Sequence, residues 1–143
     1  MIGLIVTGHG HFATGLTSSI DLIAGPQENY VAVDFDGEGT DKLEADLKTA
    51  VEKLSNCDGI IVFSDLAGGS PFKTAVLVTS TNEKVKVLAG TNLPMLCEIA
   101  MARTMIDDLD TLVSSALNTG KDGVIQFEMP PVDDEPSLDD EGI

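Results

Sequence analysis

Apolar and polar positions along this chain switch repeatedly between a continuous pattern and a helical one. Ile2–Thr7 (IGLIVT) is a short apolar run, the pattern of a strand buried on both faces. From His11 to Ala24 the apolar positions Phe12, Leu16, Ile20 and Ile23 recur at helical spacing, and Gly25-Pro26 predicts the stop. Tyr30–Phe35 (YVAVDF) reads as a second strand. Thr40–Ser55 reads as a helix with a stripe at Leu43, Leu47, Ala50, Val51 and Leu54, and Asp41 and Glu44 have capping-box spacing. Gly59–Ser64 (GIIVFS) is a third strand. After it, Ser70-Pro71 predicts a helix start with a hydroxyl cap and proline at the first helical position, running to about Thr79. Lys84–Ala89 is a fourth strand. Asn92 is the expected cap of a helix through Arg103. A further helix spans Asp107–Asn118, closed by Gly120, and Gly123–Glu128 (GVIQFE) is expected to be a last strand.

This alternation predicts an α/β fold: a three-layer sandwich with a largely parallel sheet covered by helices on both faces. Residues 1–128 form the expected domain. Residues 129–143 hold six acids, three prolines and no base, and read as an acidic tail. Ligands of such sheets bind beyond the carboxyl ends of the strands, where strand order reverses. The pattern therefore points to the corners at Gly8-His9-Gly10, Asp34-Phe35-Asp36, Asp65 and Gly90-Thr91-Asn92.

Composition narrows the picture. The chain has 143 residues, enough for one domain with a proper core. No apolar run approaches the roughly 18 residues that span a membrane, and Met1–Thr7 lacks the basic region of a signal peptide, so the expected location is cytoplasmic. Cys57 and Cys97 are isolated in apolar-periodic segments, as buried reduced thiols are. There are 24 acidic residues against 8 basic ones. Such a field disfavours nucleic acid and anionic lipid and favours partners with a basic face.

The chemistry of the corners centres on His9. Flanking glycines leave its imidazole uncrowded, and it precedes a helix amino terminus, where free N–H groups favour an anion. A neutral imidazole attacks a phosphoryl group well when one ring nitrogen is held as a donor and the other presents its lone pair. Asp65, ending a neighbouring strand, is the best-placed carboxylate to hold it. "LAGGSP" after Asp65 adds a second set of N–H donors, from Gly68 and Gly69 onward, and the Ser70 hydroxyl. Asp34 and Asp36 are next in line for the orienting role.

Other readings of the same residues are weaker. Each feature alone has an ordinary explanation: a turn histidine, a turn-capping aspartate, a helix start. Only their joint position at one sheet edge raises the functional reading. His11 falls within the first helical turn and reads as a surface residue. His9-x-His11 has no further His or Cys in register, so zinc is not expected. "GHGH" is one residue away from a nucleotidyl-transferase signature, but Gly8 replaces its first residue and the sole arginine, Arg103, lies late in the chain. No Gly-Lys-Ser/Thr follows to make a Walker loop.

"TGHG", "SDLAGGSPF" and "AGTNLPMLCEIAMAR", in this order across residues 1–128, resemble the enzyme IIA component of the mannose class of the bacterial phosphoenolpyruvate-dependent sugar phosphotransferase system. "GTNLPML" and the ending "EGI" look most like the N-acetylgalactosamine/galactosamine subgroup. The resemblance implies that His9 takes phosphate from phospho-HPr and passes it to enzyme IIB, serving sugar permease subunits at the membrane. Asp65 then orients His9. Ser70 lies beside the phosphate, and the amides of Gly10 and of Gly68–Ser70 stabilise the transferring group, with no metal or cofactor. It further implies a homodimer in which the last strand, about 123–128, crosses antiparallel to the other subunit's sheet. The mannose-type prototype carries large aromatics at the positions of His11 and Ala67, so the partner-facing surface differs here. Two alternatives share the fold. One is the phosphocarrier subunit of dihydroxyacetone kinase systems, whose corner differs from "GGSP". The other is a non-enzymatic regulatory module whose histidine is never phosphorylated.

Overall fold

The computed structural model describes residues 1–132. Four strands and five helices follow one another: β1 (Gly3–His9), α1 (Phe12–Ala24), β2 (Tyr30–Phe35), α2 (Asp41–Lys53), β3 (Ile60–Ser64), α3 (Ser70–Val78), β4 (Val85–Leu88), α4 (Leu93–Ala102) and α5 (Leu109–Asp122). Every strand pairing is parallel, and the sheet order is β2-β1-β3-β4. The chain moves outward from β1 to β2, then returns to the other side of β1 with β3. That reversal opens a crevice at the carboxyl ends of β1 and β3.

Alternation along β1 assigns its side chains to two cores. Leu4 and Val6 pack with Ile61 and Phe63 of β3 against residues of α1, α4 and α5. Ile5 packs with Val33, Phe35, Ile60 and Val62 against residues of α2 and α3. The sheet is thus sandwiched between two helical layers, as the sequence pattern predicts. Among the described residues no helix is long and apolar enough to cross a membrane. Both cysteines are free thiols, half-buried rather than buried as expected.

Several local expectations are corrected. Asp41 does not open a capping box: α2 is preceded by Thr40, whose side chain makes no cap bond. Ser70 is the first residue of α3 rather than its cap. Gly69 is the cap, and Pro71 follows in the first turn, where its missing N–H costs nothing. Asn92 does cap α4, accepting the Met95 amide at 3.3 Å. Gly120 does not end α5, which runs on to Asp122. It is buried within the helix, where a side chain would collide with Met95 of α4. Residues 123–128, expected to join a second subunit's sheet, form no ladder within this single chain. Val124, Ile125 and Phe127 lie exposed there. Of the expected tail, residues 129–132 are exposed and the rest lies outside the described residues.

Arg103, just past α4, is the largest fully buried side chain, at 1% exposure. Its guanidinium donates to the carbonyls of Ile2 (2.9 Å), Asn29 (3.0 Å) and Glu28, and to the Gln27 side chain at 3.0 Å. It ties the end of α4 to the entries of β1 and β2. A lysine there has the charge but not the planar fork that reaches several acceptors at once. Arg103→Lys is expected to lower the unfolding free energy by about 2–4 kcal/mol, since each charge-assisted bond is worth about 1.5–3 kcal/mol. Urea denaturation measures it, and an unchanged midpoint would remove Arg103 from this role.

Candidate functional site

His9 and Asp65 meet across the crevice between β1 and β3. Thr7 of β1 lies in register with Ser64 of β3, so the residues just beyond this pair are neighbours. One Asp65 oxygen, Oδ2, accepts the His9 amide at 2.9 Å and lies 2.7 Å from His9 Nδ1. The other, Oδ1, accepts the Leu66 amide at 2.8 Å. Burial works to raise the Asp65 pKa, but the His9 amide and ring and the Leu66 amide outweigh it and hold the carboxyl below its ordinary value. The carboxylate is therefore ionised at neutral pH and can only accept. Nδ1 of the neutral imidazole must then carry the proton, and Nε2 presents its lone pair. The His9 side chain is 46% exposed and the Asp65 side chain 11%. The imidazole is partly open while its anchor is covered.

The two helix amino termini near His9 are not equivalent. At α1, Asp34 of β2 accepts the Thr14 amide at 3.0 Å and the Thr14 hydroxyl at 2.7 Å, and it lies 3.3 Å from His11 Nδ1. A carboxylate thus already occupies the positive end of α1. The Gly10 amide is also spent, donating to the Phe35 carbonyl at 2.7 Å. Gly10 therefore shapes the corner, with φ of 58°, and does not offer the N–H donor expected of it. His11 faces Asp34 while His9 faces Asp65, so the two histidines do not converge on one point.

At α3 the donors are free. Gly69 donates to the Leu66 carbonyl at 3.3 Å, closing the turn, and Gly68 takes φ of 82° within it. The Gly68, Ser70 and Phe72 amides have no acceptor among the described residues, and Pro71 has no N–H to offer. Together with the Ser70 hydroxyl they form an uncommitted donor set at this corner. Gly69 contributes space rather than a bond. A Cβ there would stand 2.8 Å from His9 Cε1 and 3.5 Å from Nε2. The corner therefore lies directly against the nucleophilic edge of the ring. An ionised carboxylate on one ring nitrogen and a free helix terminus beside the other suit transfer of an anionic group.

The sequence map identified His9, Asp65 and the Gly68–Ser70 corner, and the structure brings them together. It missed Asp34 as the cap of α1 and missed Phe35, whose ring lies 5.7 Å from that of His9. Both sit at the end of β2, one of the corners the alternation had marked.

The family model described as "PTS system fructose IIA component", EIIA-man, matches residues 3–117. The chain belongs to this mannose-class enzyme IIA family of the phosphotransferase system. It is 35% identical over 133 residues to the mannose-specific EIIAB component of Escherichia coli K12, covering 92% of this chain and 41% of that protein. The chain thus spans less than half the length of that relative. Among solved structures, the phosphotransferase component EIIA of Streptococcus agalactiae superposes with a TM-score of 0.77 at 35% identity, covering 88% of this chain and 97% of the other. The mannose/sorbose-specific IIA subunit of Enterococcus faecalis gives 0.81 at 27% identity, covering 90% and 96%.

The contact at Gly69 yields a test. Its φ of −75° suits any residue, so alanine adds no backbone strain, only the methyl against the ring. Gly69→Ala is expected to keep the fold yet slow modification of His9 about tenfold or more, as displacement of a reacting group does. Circular dichroism and the rate of labelling by a phosphoryl donor check it.

Proposed function

We propose that this protein is a phosphocarrier: His9 accepts a phosphoryl group from phospho-HPr and passes it to enzyme IIB during sugar uptake. The observation that carries this reading is the His9–Asp65 pair, whose free Nε2 lies beside the uncommitted amino terminus of α3. The Nε2–phosphorus bond forms as the donor's nitrogen–phosphorus bond breaks, and the electron pair stays on the donor nitrogen. Asp65 supports the positive charge that grows on the imidazole. The amides of Gly68, Ser70 and Phe72 and the Ser70 hydroxyl face the spread charge of a loose transition state. Gly10, part of the expected cradle, is left out because its amide is committed.

The partners follow from the same surface. The Nε2 edge is exposed at the rim of the crevice, which suits a macromolecular donor. The strongly acidic chain favours donors and acceptors with a basic face. The transported sugar, which this reading keeps away from the site, is assigned to the N-acetylgalactosamine/galactosamine group on the "GTNLPML" resemblance. Permease subunits at the membrane are reached only through enzyme IIB, and the protein works in the cytoplasm.

A homodimer belongs to this reading. β4 is an edge strand, and the apolar Val124, Ile125 and Phe127 lie exposed beyond α5. Pairing this segment with the sheet of a second copy would cover both. Deletion of residues 132–143 is expected to leave a dimer, whereas deletion of 122–143 yields a monomer or aggregates. Light scattering on the two truncations distinguishes them, and a monomeric full-length protein at micromolar concentration would end the exchanged-strand reading.

The central test is incubation with phosphoenolpyruvate, enzyme I and HPr, followed by the mass of the intact protein. One acid-labile phosphate is expected. It should be lost in His9→Ala and kept in His11→Ala. A label retained without His9, or stable in acid as phosphoserine is, would overturn the assignment.

A further inference from the structure

One neighbour of the His9 imidazole carries no charge and no polar side-chain atom. Phe35 ends β2 in direct register with His9. Its ring stands at 70° to the imidazole, with centroids 5.7 Å apart, in an edge-to-face arrangement. The Phe35 ring is itself anchored, buried in the cluster that holds Ile5, Val33, Leu43 and Leu47. Its carbonyl fixes the backbone after His9 by accepting the Gly10 amide. Backbone and side chain of one residue therefore hold both the Gly10 amide and the His9 ring.

We propose that Phe35 is a positioning residue: its ring sets the plane of the His9 imidazole, keeping Nδ1 on Asp65 and Nε2 aimed at the α3 corner. This rests on the reading of His9 as the phosphoryl acceptor. A single hydrogen bond at Nδ1 tolerates tens of degrees of tilt. In-line attack tolerates less, because the reacting atoms must be near contact and aligned. Gly69 bounds the ring at Cε1 and Nε2. On another side lies a cleft of about 390 Å³, lined by Gly10, His11, Asp34, Phe35 and Asp36 among others. Phe35 touches both this cleft and His9, and so stands as the wall between them. A branched aliphatic side chain could fill the volume without offering a flat face to hold the ring.

The test compares the full chain with Phe35→Leu, Phe35→Tyr and Val33→Ala. Val33 belongs to the same buried cluster but pairs with Thr7, so it controls for lost packing. Labelling is followed with phospho-HPr and with phosphoramidate, a small donor that needs no docking. Nitrogen-15 NMR reads the tautomer of His9 without any donor. Phe35→Leu is expected to lower the maximal rate about tenfold with both donors. The half-saturating phospho-HPr concentration should stay unchanged, and the single Nδ1–H tautomer should give way to a mixture. Phe35→Tyr, which keeps the ring, should stay within about twofold of wild type, and Val33→Ala should keep both rate and tautomer. If Phe35→Leu does not fold, Phe35→Met takes its place with the same expectations. Wild-type rates with phosphoramidate in the Leu variant, or an equal loss in Val33→Ala, would overturn the proposal. Wild-type labelling by phosphoramidate but not by phospho-HPr would overturn the donor assignment alone, and the phosphoramidate and tautomer comparisons would still decide Phe35.

Discussion

The hydrogen bonds between Asp65 and His9 join the two strands on either side of the sheet's reversal. One carboxylate oxygen takes both the backbone amide and the ring nitrogen of the same histidine. Strand position and ring orientation are thereby set by one group. This works only because β1 and β3 are parallel neighbours in the register that places Thr7 beside Ser64. A slip of one residue would turn His9 toward the opposite helical layer. The core enforces the register: Leu4 and Val6 must face one layer and Ile5 the other. The hydrophobic pattern of β1 therefore governs the chemistry at its tip.

Electrostatics divides labour between the two helix amino termini at this edge. The terminus of α1 already holds a carboxylate of the fold, Asp34, which accepts the Thr14 amide and hydroxyl. The terminus of α3 has Gly69 as its cap and Pro71 in its first turn, and it lacks a side-chain cap. Its donors stay unsatisfied by protein and available to an anion. On the proposed phosphocarrier reading, a phosphoryl group entering the crevice would meet the free amides of α3 without a carboxylate between. Nearby Asp34 and Asp36 would repel it from the other side. The direction of approach to Nε2 then follows from the placement of acids and free amides.

Arg103 shows a different use of charge. It is buried far from the His9 corner, at the opposite end of β1, where carbonyl oxygens receive its guanidinium. Desolvation works against the charged form there and lowers its pKa from the ordinary value. Hydrogen bonds to dipoles rather than to a carboxylate offset that cost. Only a fork of several donors can bind the starts of two strands and the loop before β2 at once.

Much of this was written in the local sequence. Runs such as IGLIVT and GIIVFS read as buried strands, and the stripe of α2 read as a one-sided helix. The order of these elements leads to a parallel sheet, because consecutive parallel strands need crossovers. His9, Asp65 and the Gly68–Ser70 corner were legible because each ends a strand or opens a helix. Partnerships between segments were not. Nothing local reveals that Asp34 would cap α1 or that Gly10 would spend its amide on Phe35. Nor does it reveal that Gly69 matters for the space it leaves beside His9. Gly120 looked like a helix stop because its packing against Met95 is invisible along the chain. The segment 123–128 has a strand's composition but no strand here, since a strand is a relation to a neighbour. Sequence determined which residues could form each element. Tertiary structure decided which donors, acceptors and empty volumes were left over for function, because those depend on what the rest of the chain has already used.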